Sequence, residues 1–534
     1  MTGSRSRFRT GARHAVPLLA LVACATAARA QQTTAGRSDY TATSSYADVG
    51  AFLGALQARG AGIRVGTLAT SVEGRDVWYV IASRPMVTTP IEAHRTGKPI
   101  IYVQGNIHAG EVEGKEALQM LLRDLTLGPL RPLLDSVIIV AVPIYNADGN
   151  EHLAPGERNR PGQNGPALVG ERANGQRLDL NRDYVKREAP ETSGSQAFIA
   201  EWEPDLFVDL HTTNGSYHGY VLTYAPGLNP NVSPAVAFVR DVFLPRVRER
   251  MRERHGQETF WYGNFRNQEP DSLAQGWETY DPRPRFGVNW FGLRGGMAIL
   301  SEAYSNADFR TRVSATYNFV REVLSFAAEQ RETIRRIARE GWALPDSVAV
   351  RSVLGPPSMQ DVIAEITSPA GEGNGGYARR KRSGIYRTIR MPVFDRFVPA
   401  RREAMPAAYL IPPGLPEVVA LLRGHGITVE RLTAPVTVPG ERFRVDSVRV
   451  FPLFEGHRTV SAEGAWRPAT IEAAPGWFVV RTAQRLGVLA AYLLEPASED
   501  GVVTWNLLDR WLRAGTDAPV TRVPAWPGAP AIAP

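Results

Sequence analysis

The chain has 534 residues, 43% of them hydrophobic, so it can bury a large core and form two domains. Its one cysteine, Cys24, excludes an intramolecular disulfide, a thiolate nucleophile in the body of the chain and a cysteine-based zinc site. The formal charge is +7, but residues 1–30 hold five arginines and no acid; setting those five aside leaves about +2, which gives no argument for a nucleic-acid partner.

Residues 1–30 read as an export leader. Arg5, Arg7, Arg9 and Arg13 precede an apolar run from Ala15 to Ala28, and Ala28-Arg-Ala30 offers a cleavage site. The run is too short for a membrane-spanning helix, which needs about 20 residues. Leu21-Val-Ala-Cys24 also has the form of a lipoprotein box, so a lipid anchor at Cys24 stands as the second reading beside cleavage after Ala30. The expected location is periplasmic or extracellular. No pro-domain is expected after Gln31.

Ala47 to Gly60 reads as an amphipathic helix. Ile63 to Leu68 and Val77 to Ala82 read as strands around the turn Ser71-Val-Glu-Gly-Arg75. Pro99 to Val103 is an apolar strand that runs into a turn presenting His108 and Glu111. An imidazole and a carboxylate three positions apart can reach one cation, and zinc takes such ligands at about 2.0–2.2 Å. A catalytic zinc needs a third protein ligand and an open position for water. Glu113 to Leu125 carries apolar residues at helical spacing, and Asp135 to Tyr145 is a near-continuous apolar strand ending in Asn146-Ala-Asp-Gly149. A polar loop, Glu151 to Gly175, holds Arg158 and Arg160, and Leu178-Asp-Leu-Asn-Arg-Asp-Tyr184 follows it. Trp202 to His211 is a further strand with Asp209 and His211 at its end, where His211 supplies the third ligand. Tyr220 to Tyr224 reads as a short strand and Ser233 to Arg254 as a helix with a solvated charged face; His218 and His255 belong to no motif. Phe260 to Asn289 is long and aromatic, as pocket walls and lids often are. Gly296 to Ser305 is an apolar strand carrying Glu302, and a carboxylate at the inner end of such a strand implies a role or a partner. Phe309 to Glu340 reads as one long helix that closes the domain.

These motifs, in this order, resemble the zinc carboxypeptidase family (peptidase family M14) over roughly residues 40 to 330. The resemblance implies an α/β fold with a mixed, mostly parallel twisted sheet flanked by helices, and one Zn2+ per chain held by His108, Glu111 and His211. It implies that Glu302 is the general base, that Asn181 and Arg182 clamp the substrate's C-terminal carboxylate, and that Arg160 stabilises the oxyanion, with Arg158 as its competitor. A tyrosine that caps the substrate would be Tyr280. The family also carries the Glu-Gly-Arg turn, and Asn-Pro-Asp-Gly where this chain has Asn146-Ala-Asp-Gly149.

From about Ala343 the character changes. Residues 341–395 read as a linker, with a Gly-rich, basic stretch at 367–383. Residues 396–534 read as a small α+β or β-rich accessory domain after the catalytic region 38–340. In it, Tyr409 to Val429 suggests strand, helix, strand; Phe443 to Val480 suggests several short strands; and Leu486 to Leu494 suggests a short helix or strand. His425 and His457 are isolated. This domain could pack on the catalytic region, bind cell wall or substrate, or stabilise the fold. The function expected is an exported metallocarboxypeptidase, a hydrolase acting on peptides with a free C-terminal carboxylate. The alternative is a zinc amidase or deacylase of the same fold acting on N-acyl amino acids or cell-wall peptides. The sequence sets no oligomeric state.

Overall fold

The computed structural model describes residues 32–370, 380–528 and 531–532. The expected leader, with Cys24, lies outside the described residues. Among the described residues no helix is long and apolar enough to cross a membrane.

The centre is an eight-stranded mixed sheet. Its strands are β1 (Ile63–Thr70), β2 (Asp76–Ala82), β3 (Ile100–Gly105), β4 (Ile138–Val142), β5 (Leu206–Thr212), β6 (Leu222–Pro226), β7 (Thr259–Trp261) and β8 (Met297–Ala303). They lie in the order β1-β2-β4-β3-β5-β8-β6-β7. The inner run β4, β3, β5 and β8 is parallel, and β1, β2 and β6 join antiparallel to their inner neighbours. Every residue of β3, β4, β5 and β8 is buried, because helices cover both faces and the strands are mostly apolar, with polar residues only toward their C-terminal ends. Helices α1 (Tyr46–Ala58), α2 (Glu113–Thr126) and α6 (Phe309–Glu329) pack together beside the sheet, while α3 (Pro190–Trp202) packs on β1 and α5 (Gly287–Leu293) on β5 and β8. Between α3 and α5 in the chain lies α4 (Leu244–His255). The expected long helix breaks at Gln330 (φ −95°, ψ 14°), after which α7 runs from Arg331 to Glu340.

The stretch expected as a linker is built of strands instead. β9 (Ser347–Leu354) pairs with β12 (Phe397–Ala404), and β10 (Ser358–Pro369) with β11 (Arg380–Phe394). β11 also pairs with Trp277 and Glu278 of the long aromatic segment. Val362, Ala364, Met391 and Val393 bury one face of this hairpin against Trp277, Phe260 and Phe265. The opposite face carries the paired Arg390 and Asp361 in solvent. A strand that buries only alternate residues, with arginines outside, has the composition of a solvated segment.

Residues 408–532 form a seven-stranded sheet with helices α8 (Pro416–Gly424) and α9 (Gly487–Leu494). Its strands include β13 (Ala408–Ile411), β14 (Glu430–Leu432), β15 (Val436–Phe454), β16 (His457–Ala473), β17 (Phe478–Arg481) and β18 (Asp517–Val523). Where several short strands were expected, β15 and β16 form one long hairpin paired from Val436↔Ala473 to Phe454↔His457. Pro439, Gly440, Gly464 and Pro468 look like breakers in sequence, yet the ladder runs through them. The boundary near residue 396 does not interrupt the core: buried apolar side chains from Val49 to Val520 form one contiguous cluster.

Candidate active site

Four of the expected residues arrive from the same end of the parallel strands, where open α/β sheets place their chemistry. His108 and Glu111 follow β3, and His211 and Glu302 are the last but one residues of β5 and β8, paired in register. Donor atoms of His108, Glu111 and His211 all lie within 4.8 Å of one another, and all three residues are buried.

The orientation of the rings gives the chemistry of this donor set. His108 Nδ1 lies 3.2 Å from His211 Nδ1 and 3.2 Å from Glu111 Oε1, and His211 Nδ1 lies 3.0 Å from Glu111 Oε2. The outward nitrogens face carboxylates: His108 Nε2 is 3.0 Å from Asp179 Oδ1, and His211 Nε2 is 3.1 Å from Asp209 Oδ2. A carboxylate that accepts a hydrogen bond from Nε2–H, as Asp179 does for His108, leaves the Nδ1 lone pair free, and this is the usual outer support of a metal-ligating histidine. Two lone pairs and a carboxylate converging in a buried space repel unless a cation lies between them. Two imidazole nitrogens and one carboxylate fit zinc.

Charge balance around the site is also built in. Burial pushes Glu111 up, but His108 and Arg160 outweigh it and hold the carboxyl well below its ordinary range. The Thr212 N–H donates to Glu111 Oε2 at 3.0 Å. Glu302 lacks such strong partners. Burial pushes it up to about 8, against the pull of His211.

The cavity above the three donors is lined by Arg172, Asn181, Arg182, Asn214, Tyr262, Tyr280, Asp281, Phe286, Val288, Leu300 and Glu302. The short helical turn at 180–182 presents Asn181 and Arg182; Asp179 caps it by accepting the Asn181 N–H at 2.9 Å. Asn181 Oδ1 accepts the Gly287 N–H at 2.9 Å, and the Arg182 guanidinium lies 4.0 Å over the Phe286 ring. Tyr280 lines the cavity between the rings of Tyr262 and Phe286, and its hydroxyl donates to Asn289 Oδ1 at 3.4 Å. Asp281 pairs with Arg283, whose Nε lies 2.8 Å from both carboxylate oxygens.

Arg160 does not line this cavity. Its Nη2 donates to the carbonyls of Thr212 and Thr213 at 2.6 and 2.9 Å and lies 3.3 Å from Glu111, so it fastens the chain after His211 to the Glu111 carboxylate. The arginine of this loop that does line the cavity, beside Arg182, is Arg172, bound through Nε and Nη2 to Asp179 Oδ2 at 3.0 and 2.8 Å. Sequence reasoning missed Arg172 and the supporting role of Asp179. The available signal was position: Asp179 opens the Asp-Leu-Asn-Arg motif, and Arg172 lies in the same polar loop as Arg160 but closer to that motif. Arg158, the competitor, is at an exposed position in that loop.

Residues 49–235 match the zinc carboxypeptidase family. Carboxypeptidase 2 of Trichophyton rubrum is 23% identical over 468 residues, covering 85% of this chain and 81% of that protein. Carboxypeptidase D of mouse is 28% identical over 135 residues, covering 23% of this chain and 10% of its own. Among solved structures, the carboxypeptidase A of Helicoverpa armigera gives a TM-score of 0.42 at 18% identity, covering 58% of this chain and 80% of that one. With its His/Glu/His donor set and the family match over residues 49–235, the chain carries a zinc carboxypeptidase domain and is a metallocarboxypeptidase.

Proposed function

We propose that the chain is exported and removes the C-terminal residue of peptides, with His108, Glu111 and His211 holding one zinc ion and Glu302 acting as general base. The observation that carries this reading is one cavity that joins the three donors to a carboxylate, two arginines and an asparagine. Zinc bound by these donors supplies a Lewis acid and lowers the pKa of adjacent water to about 7. Glu302 accepts the proton of the attacking water and then delivers it to the leaving nitrogen. Arg182 offers a planar fork of donors to the terminal carboxylate, and Asn181 adds a neutral donor. The oxyanion role falls to Arg172 rather than Arg160, because Arg172 faces the cavity and Arg160 is committed to backbone carbonyls. Tyr280 closes the aromatic side of the cavity over the substrate. Export rests on the basic leader and the Ala28-Arg-Ala30 site.

The test uses the purified mature chain with N-blocked dipeptides that differ in the C-terminal residue, each with a free or an amidated C-terminus. Release from the free acids alone, abolished by 1,10-phenanthroline, is the expected result. Zinc-loaded protein that cleaves free and amidated peptides equally, or cleaves neither, overturns it and favours an amidase of the same fold.

A further inference from the structure

The hairpin of β15 and β16 ends in a two-residue turn, Glu455-Gly456, between the paired Phe454 and His457. Both turn residues have positive φ, 48° and 80°, as in a type I′ turn. Gly456 suits such a turn. Glu455 does not: that place favours asparagine, aspartate or glycine, and a side chain with left-handed backbone carries a strain cost. Turn geometry therefore does not account for a glutamate at this position.

Its surroundings do. Glu455 Oε2 accepts the backbone N–H of Asp179 at 3.0 Å, across 276 positions of chain. Asp179 is the residue that supports His108, binds Arg172 and caps the turn carrying Asn181 and Arg182. The tip is held in place independently. His457 Nε2 lies 2.7 Å from Glu188 Oε1, its Nδ1 lies 2.9 Å from Asn506 Oδ1, and the Arg285 guanidinium sits 5.2 Å from the Phe454 ring. Partial burial pushes the Arg182 guanidinium down, and Asp179, Asp281 and Glu455 act against that.

We propose that Glu455 is a positioning residue of the active site: the C-terminal hairpin reaches across to fix the Asp179–Arg182 turn, and so sets the carboxylate clamp. This rests on the clamp reading given above. The hairpin is thus part of the substrate site rather than a separate module. Because the contact is to a backbone N–H, any acceptor of the same length serves, and glutamine keeps it. Asparagine suits the turn better but is one methylene shorter and loses the contact.

The experiment compares the full mature chain with Glu455→Asn and Glu455→Gln. Kinetics on a free-carboxylate dipeptide are joined by amide hydrogen exchange over residues 178–183 of the metal-free protein. The expected result for Glu455→Asn is a KM raised about tenfold, the scale of one hydrogen bond to a charged group. Its kcat stays within about threefold, its Tm is unchanged or higher, and exchange at 178–183 is faster. Glu455→Gln stays within about twofold of wild type in KM and in exchange. Wild-type KM and wild-type exchange in Glu455→Asn overturn the proposal. So does a rise in KM that appears only with a lowered Tm, and so does an equal loss in both variants. A wild-type chain that hydrolyses no free-carboxylate peptide defeats the clamp reading instead, and the exchange data then judge the hairpin contact alone.

Discussion

The eight-stranded sheet and the C-terminal hairpin both hold the Asp179–Arg182 turn and its neighbours, by opposite means. The sheet delivers His108, His211 and Glu302 through short buried strands whose chemistry sits at their ends. The hairpin delivers Glu455 on two strands of 19 and 17 residues that are half exposed along their length. The sheet side gains precision from burial on both faces. The hairpin side gains it from a few polar contacts at its tip. The comparison teaches that the chemistry of this site is local to the sheet, whereas its geometry is shared with a region more than 270 positions away.

Breaking the sheet side gives the largest effect. Glu302→Gln is expected to lower kcat roughly 10³-fold with zinc content unchanged by metal analysis; activity within tenfold of wild type would remove Glu302 from the proton path. Breaking the C-terminal side comes next. Asp500 is fully buried and accepts from Arg285 N, Nε and Nη2 at 2.8, 3.1 and 2.8 Å and from Trp505 Nε1 at 2.9 Å. Asp500→Ala leaves Arg285 buried without its carboxylate and is expected to cost about 3 kcal/mol in urea unfolding. Arg285 adjoins Phe286 of the cavity wall, so this variant loosens the site as well. Arg172→Ala is expected to lower kcat/KM about 10²-fold, while zinc-loaded Arg160→Ala loses less than about tenfold. The reverse order would return the oxyanion role to Arg160.

Acidity sharpens the same contrast. In the metal-free chain Glu302 is raised by burial from 4.5 to about 8, so the folded state holds a proton that the unfolded chain releases. That contribution to stability is complete below about pH 4.5 and is lost as pH rises toward 8. The urea midpoint of metal-free protein is expected to fall between pH 5.5 and 7.5, and zinc is expected to flatten the slope, since a cation beside Glu302 opposes the shift. The smallest expected effect concerns selectivity. Leu300, Val288, Phe286 and Tyr262 line the cavity, and Asp281, which shares that wall, is neutralised by Arg283. Apolar C-terminal residues are therefore expected to be preferred. Arg283→Ala is expected to raise the ratio of basic to apolar C-terminal cleavage about fivefold, measured by competition between two dipeptides.

Much of the sheet was legible in the sequence, because a strand buried on both faces is an apolar run with little else in it. The donors were legible because His-x-x-Glu and Asp-x-His sit where such runs stop. Arg172 was not, since an arginine in a polar loop shows its partner only in space. β10 and β11 were lost for a related reason: one face is buried and the other carries arginine, so the average composition is that of a linker. Glu455 leaves no signal in a single sequence beyond its awkward place before Gly456. Its partner is a backbone N–H, which has no residue type.

The unbroken cluster from Val49 to Val520 has a thermal consequence. Two bodies joined by a flexible tether melt separately, but side chains sharing one core lose their order together. Heating the metal-free chain should therefore give a single calorimetric transition, with the van't Hoff and calorimetric enthalpies in agreement. A fragment stopped at Glu340 would expose the face of that core which the residues from Val348 to Val520 cover, and is expected to melt below the full chain.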